Sequence, residues 1–573
     1  MRRMSRIGAV MALAGMLAAA STVSGMVPIA PTAPAEASGS APSYDDSTVF
    51  VDGENGYVKY IIPGILAASD GRVFAYTDGR YDDADGSPSD AIMKVSDDGG
   101  ETWGSLQVMG SSDVSGVPTL NVTQPSMVQD KVSGRIFYFY TVRGTATSPA
   151  DPTLAQIYVR VSSDGGDTFG TPSLVSDVLA DADADLQAAI TANTAPSEFA
   201  GEDAADYGRE FFVVGPGSPI QLSSSYAGAP NRIVVPVFAM KSRAGDLEDR
   251  GYGDMMLISD DGGLTWEAGG IVPIGAYLDN EVSIVELANS RIYLNARVSL
   301  GDDHRRAYSR SASGGDRWLV PALVSETVLP RFDNVHAGLL RASFAANDPN
   351  GISRILYSFP NADGVRSKLV VGVSYDEAQS YTAGKVVVPG SAGYSNMQLA
   401  PDGTILVAYT TGPGDRFSVV RFNLEWLTDG TDSFGDGPDV VVDDRSSGYS
   451  EAGSGWAYGL STTDYWALGY RHDGSAAANP GSVATFTPAL PASGTYRVYA
   501  RWSAGTNRPD AAPITLLRGT TTIASLTVDQ RSGGGQWNLL GTYSLSPGDV
   551  AQLSAADAGY TIADAFRFEY VGP

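Results

Sequence analysis

Cysteine is absent from this 573-residue sequence. Disulfides, thiol nucleophiles and thiolate-bound metals are therefore excluded. Histidine is scarce, with His304, His336 and His472 the only three, so a histidine-rich zinc site is not expected. Positive charge is also in short supply: 38 lysines and arginines stand against 65 aspartates and glutamates, a net charge of −27. Such a balance argues against nucleic acid as a partner. It also repels anions at long range, so an acidic substrate needs a locally basic site. Past the N-terminus, no run approaches the roughly 20 apolar residues of a membrane span. Long helical periodicities are few. What is abundant is Gly (66) and Pro (32), which points to an all-β chain rich in turns. The length exceeds one ordinary core and predicts two or three domains.

The N-terminus reads as an export signal. Arg2, Arg3 and Arg6 precede an apolar stretch from Ile7 to Ala20, and Ala35-Glu36-Ala37 fits a cleavage site. Residues 1–37 are thus expected to be removed and the rest secreted to the extracellular side. Excising the leader, with its three arginines and one glutamate, leaves the remainder two charges more negative.

One short motif recurs. Residues 96–103 read SDDGGETW, 162–169 SSDGGDTF and 259–266 SDDGGLTW. Weaker copies lie at 311–318, with Ser313 at the aspartate position, and at 374–381, with Ala378 for the second glycine. A calcium hand needs acidic groups at alternate positions before a glycine and a glutamate six residues after it. Before Gly99 those positions hold Asp98, Ser96 and Lys94, and Ser105 stands where the glutamate belongs. The pattern instead suits a hairpin: alternating strands such as Ile92–Val95 and Ile157–Arg160 lead into it, Asp accepts from turn N–H groups, and Gly supplies positive φ. Strand units repeated at intervals of tens of residues indicate a propeller. The long interval between the second and third copies holds an Ala- and Asp-rich insertion at 179–202, read as helix or loop.

The repeat, taken with further landmarks in order, resembles the six-bladed retaining exo-sialidases (neuraminidases) of bacteria. The landmarks are GPGSPIQL (215–222) with RIVVPVF (232–238), NEVSIVEL (280–287) with RIYLNAR (291–297), RSKLVVGVSYDE (366–377) and GYSNMQLAPDGTILVAYTTG (393–412). The resemblance covers about residues 45–428 and implies a propeller over 43–428. It implies release of terminal sialic acid from sialylated or related glycoconjugates, with no cofactor and no metal. A sialoside carries a carboxylate on its anomeric carbon, which repels a carboxylate nucleophile, so such enzymes use a phenol. By the resemblance Tyr394 matches that nucleophile, Glu281 its base, and Asp85 the acid/base for the leaving oxygen. Arg297 and Arg366 match two of three arginines that clamp the substrate carboxylate. Without the resemblance, Tyr394 is one of 28 tyrosines, Asp85 sits in an acidic turn, and Glu281 and Arg297 fit ordinary strand ends.

One landmark is altered. The family's first blade opens with an aromatic-Arg-Ile-Pro motif, and here the stretch is Tyr60-Ile61-Ile62-Pro63. Ile61 replaces the first clamping arginine. Losing one charge-assisted pair costs about 1.5–3 kcal/mol, roughly tenfold to a few hundredfold in binding. Lys59 shares the strand face of position 61; it is either a partial substitute or a solvated strand end. Three readings stay open: a sialidase with a two-arginine clamp, an exo-glycosidase for a related keto sugar acid or other glycan, or a non-catalytic glycan-binding propeller.

Residues 429–439 have the turn chemistry of a linker. Beyond them, 440–573 resembles the golvesin or xanthan-lyase C-terminal type of domain through TTDYWALGYRHDGS (462–475), YRVYARWSAGTNR (496–508), DQRSGGGQWNLLGTYSLSPGD (529–549) and GYTIADAFRFEY (559–570). Alternation along 496–502 predicts a β-sandwich. An accessory role in glycan or cell-wall contact is expected there. Trp456, Trp466, Trp502 and Trp537 either stack on sugars or fill the core. The expected fold is all-β: a six-bladed β-propeller followed by a C-terminal β-sandwich.

Overall fold

The computed structural model describes residues 41–572 except 115–116, 145–154, 226–229, 242–252, 274–278, 299–305, 320–323, 326–327, 330–334, 349–350, 363–364, 412–415, 435–438, 475–480, 491–492 and 557–558. The export leader and His304 lie outside the described residues.

Six antiparallel units follow one another. Their first strands are Lys59–Ala67, Leu120–Gln129, Ile220–Gln221, Asp279–Glu286, Gly338–Ser343 and Ser395–Leu399. Each packs against the next, and Lys59–Ala67 packs against Ser395–Leu399, so the ring closes. This is a six-bladed β-propeller. The last blade is completed by the N-terminal strand Tyr44–Val51, paired to Arg416–Phe422 from Tyr44↔Phe422 to Val51↔Arg416. Closure therefore joins residues from opposite ends of the ring by backbone hydrogen bonds. Single parallel bridges, Ser89↔Asn121 and Ala155↔Phe211, link neighbouring units early in the ring.

The repeated motif is the turn between a blade's third and fourth strands. In the first copy Ser96 donates to Asp98 at 2.6 Å and accepts from the Gly100 amide at 2.7 Å. Asp98 also accepts from the Thr102 amide and hydroxyl at 2.8 and 2.5 Å. The copies at 162–168, 259–265 and 374–380 repeat these bonds. In the weakest copy the Ser313 hydroxyl accepts from the Arg317 amide at 2.8 Å. The carboxylates thus close their own turns; the bonds from Ser96 and then Thr102 hold Asp98 well below the usual range. In the third copy the second glycine is required twice over. At Gly263, φ is +79° and a Cβ would lie 2.2 Å from the Phe137 ring of the preceding blade. Trp266 then packs edge-on against Phe137 and Phe139, with centroids 5.7 and 5.1 Å away. Each such turn locks one blade onto the last.

The insertion forms a helix, Asp177–Thr191. Buried Asp183 accepts from the Gly208 and Arg209 amides at 2.7 Å and ion-pairs with the buried Arg209 guanidinium.

The C-terminal part is a sandwich of two antiparallel sheets. One has the order Val440–Asp443, Ala565–Gly572, Gly494–Arg501, Asn538–Leu545. The other runs Tyr449–Ala452, Val483–Phe486, Val550–Ser554, Ala512–Arg518, Thr521–Val528. Tyr496, Val498, Phe566 and Phe568 from the first share one core with Phe486, Ile514, Leu516 and Leu553 from the second. The four tryptophans belong to packed regions: Trp466 and Trp502 are buried, while Trp456 and Trp537 are partly buried against core clusters. None is among the exposed large apolar side chains.

The sandwich is seated on the fifth blade. Trp466 donates to the Thr382 carbonyl at 2.8 Å, and the Asn361 amide donates to Tyr465 at 2.8 Å and to the Leu468 carbonyl at 3.0 Å. Trp466, Ala467 and Leu468 join the propeller's apolar cluster. The stretch read as a linker is tied down as well. Buried Asp432 takes a bidentate pair from buried Arg354, both bonds 2.8 Å. Asp429 bridges Lys385 of the propeller and Arg501 of the sandwich.

Candidate active site

Antiparallel alternation places the starts of first and third strands, and the ends of second strands, at one end of a blade. Tyr394 and Glu281 lie at the starts of first strands. Arg297 lies near the end of a second strand (Ile292–Val298), and Arg366 just before a third (Ser367–Ser374). Asp85 follows the second strand Val73–Arg80. All five residues therefore sit at one end of the propeller, opposite the aspartate turns.

Four of them form one cluster. The Tyr394 hydroxyl donates to Glu281 Oε1 at 2.7 Å. Arg297 Nη1 donates to Glu281 Oε2 and to the Tyr394 oxygen, both at 2.8 Å. The Arg366 guanidinium lies 5.6 Å from the centroid of the Tyr394 ring. Local structure explains the fit. A bulge between Asp279 and Val282 faces Arg297 across the strand pair and brings Glu281 to it. Tyr394 and Arg366 are tied through backbone, since the Ala392 amide donates to the Arg366 carbonyl at 3.0 Å.

Electrostatics define the resting state. Burial, reinforced by the Glu281 carboxylate, pushes the Tyr394 phenol up, while Arg297 and Arg366 pull it back. Burial disfavours the Arg297 charge, yet Glu281 holds that guanidinium above its ordinary value. At neutral pH the phenol is protonated and hydrogen-bonded to an adjacent carboxylate. That arrangement can pass a proton to Glu281 as the phenol oxygen forms a bond, with Arg297 stabilising the phenolate character.

Asp85 stands on the exposed loop 81–88, its side chain 79% exposed, with Arg80 Nη1 3.3 Å away. Lys59 forms a 2.6 Å ion pair with Asp83 of that loop. Ile61 is half-buried and packs against the apolar cluster that includes Tyr394. The altered landmark is therefore an apolar wall with an engaged lysine beside it.

Other residues of this end were not singled out from the sequence. Asp78 and Arg80 occupy one face of the second strand of blade one. Asp78 is fully buried, accepts from Thr123 Oγ1 at 2.8 Å and the Gln124 amide at 3.2 Å, and lies 3.5 Å from Arg80 Nε. It secures a bulge at which Gln124 has φ +51°; a matching bulge puts Ile62 at φ +65°. Positive φ at a β-branched residue is strained backbone, held by its surroundings. His336 stacks on Tyr394, with centroids 6.4 Å apart and planes 16° apart. Its Nδ1–H donates to the Ser395 carbonyl at 3.1 Å and its Nε2 meets the Ser283 hydroxyl at 2.8 Å. Burial, with Arg306 nearby, pulls His336 down to about 3, so it is neutral. It joins three blades behind the phenol. The GPGS stretch contributes similarly: Ser218 meets Asn396 at 2.9 Å, and Asn396 donates to the Pro216 carbonyl at 2.9 Å. The alternation of Asp78 and Arg80 before an acidic loop was a readable signal. Nothing local marked His336.

The BNR repeat-like domain family matches residues 73–407. The chain belongs to that family. The golvesin C-terminal domain matches residues 440–570, so the BNR repeat-like propeller carries a sandwich of that type. A sialidase of Micromonospora viridifaciens is 29% identical over 449 residues, 74% of this chain and 61% of that protein. A xanthan lyase of Bacillus sp. (strain GL1) is 37% identical over 191 residues, 31% of this chain and 20% of the lyase. The chain thus spans less than two thirds of either relative. Among solved structures, the Hadza microbial sialidase Hz136 superposes with a TM-score of 0.52 at 19% identity, covering 66% of this chain and 68% of that one. A leech intramolecular trans-sialidase gives 0.51 at 17% identity, covering 67% and 71%. Both likenesses concern the fold. Among the described residues no helix is long and apolar enough to cross a membrane.

Proposed function

We propose that the protein is an exported, retaining exo-glycosidase of the sialidase type, acting on the terminal sialic acid of glycoconjugates. The observation that carries this reading is the Tyr394 hydroxyl held by both Glu281 and Arg297, with Arg366 over its ring. The similarity to named sialidases supports it.

In this reading Glu281 takes the phenolic proton as Tyr394 attacks the anomeric carbon. Asp85 protonates the departing glycosidic oxygen, leaving a tyrosyl-linked sugar. Asp85 then takes a proton from water as that water attacks the same carbon, and Glu281 returns the phenolic proton to the departing Tyr394 oxygen. Two inversions retain the configuration. Arg297 and Arg366 hold the sugar carboxylate. The exposed Asp85 suits a group that must meet leaving groups of varied size. Export rests on the N-terminal signal pattern.

Ile61 favours a second reading. An apolar side chain packed where the resembled family has a guanidinium fits a sugar acid with a different group at that position. The test is a fluorogenic α-sialoside assay, with the first-formed anomer followed by NMR, beside a panel of other keto sugar acids. Release of the α-anomer first would support the proposal. Absence of turnover on every sugar acid would overturn it.

A further inference from the structure

A cavity of about 500 Å³ opens on the C-terminal sandwich, a region to which the catalytic reading assigns nothing. Its wall comes from the turn after strand Val440–Asp443, from strand Tyr449–Ala452, and from the short strands Ala457–Gly459 and Tyr470–His472. The volume falls within the usual range of about 300–1,000 Å³ for small-molecule sites.

The charges around it are matched. Glu451 accepts from Arg471 Nε and Nη2 at 2.6 and 2.9 Å, and from the Tyr449 hydroxyl at 2.9 Å. The Arg445 guanidinium lies 4.7 Å from the Tyr458 ring centroid, and its Nη1 donates to the Val328 carbonyl at 3.0 Å. Two guanidiniums face two carboxylates, so an anionic ligand meets no surplus of positive charge. Asp444 is 9% exposed and shares a hydrogen bond with the neighbouring Asp443 carboxyl, and Arg445 is bonded to Tyr458. Burial pushes Asp444 up to about 6, although Arg445 and the bond to Asp443 pull it back, and burial with Asp444 beside it pushes Asp443 well above the usual carboxylate range. A proton held between the two lets the pair both donate and accept.

We propose that this cavity is a non-catalytic binding site for a neutral saccharide, one or two hexose units long. Planar carboxyl and guanidinium groups beside tyrosine rings match the hydroxyl edges and C–H faces of a pyranose. Balanced charge excludes sugar acids. Because the sandwich is seated on the fifth blade, a glycan held here is presented at a fixed distance from the propeller. Binding at one site then raises the effective concentration at the other. The proposal is independent of whether the propeller hydrolyses sialosides.

The test is a titration of the full chain with lactose and with methyl β-galactoside, followed by calorimetry or saturation-transfer NMR. Ser450 is exposed at the cavity, so Ser450→Trp fills it without disturbing the core; Asp444→Ala removes the central carboxyl. Saturable binding to wild type, weakened about tenfold or more in each variant, supports the site, since loss of a hydrogen bond to a charged group is worth that much. If Asp444→Ala fails to fold, Ser450→Trp decides. No saturable binding to either sugar overturns the site, as does binding unchanged in Ser450→Trp. Preferential binding of glucuronate, lost in the variants, overturns the neutral class.

Discussion

The Tyr394 hydroxyl donates a 2.7 Å hydrogen bond to Glu281 across two blades of the propeller, from residues 113 positions apart. Each group reaches the other because its blade starts at the same end of the ring. Arg297 then bonds both. Removing any one of the three takes a hydrogen bond from each of the other two.

Tyr394→Phe keeps the ring and deletes the oxygen. The rate on any substrate that is turned over should fall by about 10³-fold or more, since the proposed nucleophile is lost. Stability should change by no more than about 1–3 kcal/mol, the cost of an unsatisfied buried group. A near-normal rate in a folded variant would sink the assignment.

Ile61→Arg separates the two substrate readings. With a sialidase pocket, the new guanidinium gains one charge-assisted pair and tightens binding of a sialic-acid transition-state analogue by about 1.5–3 kcal/mol. With a pocket reshaped for another sugar, the same guanidinium loses its hydration without a partner and weakens the true substrate. Affinities for both ligand types, measured side by side, have opposite signs in the two cases.

Lys368 links the sandwich to the site. Its ammonium donates to the Leu460 carbonyl and, at 3.1 Å, to the Thr462 carbonyl, both on the sandwich. It lies at φ +57° in a bulged strand start, two residues from Arg366. Lys368→Met should let that start relax and displace Arg366. KM should then rise severalfold with kcat nearly unchanged. Equal loss in both constants would argue that the lysine acts through general stability instead.

His336 predicts an acid sensitivity. Its folded pKa of about 3 lies below the ordinary 6.5. Below pH 6.5 the unfolded chain binds a proton that the folded chain refuses, so stability is lost as pH falls from 6.5 toward 3. At pH 4.5 this amounts to about 3 kcal/mol. Denaturant midpoints at pH 7 and 4.5 should differ less in His336→Gln than in wild type.

Gly263→Ala should destabilise the propeller by about 2 kcal/mol or more, because the methyl enters the Phe137 ring at positive φ. Chelator should move neither the melting temperature nor the rate, because Asp98 and its counterparts already close their own turns. Loss of stability in EDTA, recovered with calcium, would contradict this.

Much of the architecture was written locally. Alternating strands, five turn motifs and glycine at positive φ are short-range features, and they announced blades and their approximate places. The motif residues Asp85, Glu281, Arg297, Arg366 and Tyr394 could be proposed because their neighbours form recognisable stretches. What local sequence cannot encode is which side chains meet across the ring. Ile61 read as a missing cation; its place in an apolar wall depends on packing between blades. Lys59 was ambiguous until its ion pair with Asp83 formed. The tryptophans of the sandwich looked equally suited to sugar or core, and burial against the fifth blade and the two sheets settled that. His336 carried no signal, because its role exists only where three blades converge behind one phenol. Periodicity is a property of a few consecutive residues, whereas a site is a property of distances between residues a hundred positions apart. Those distances exist once the ring has closed.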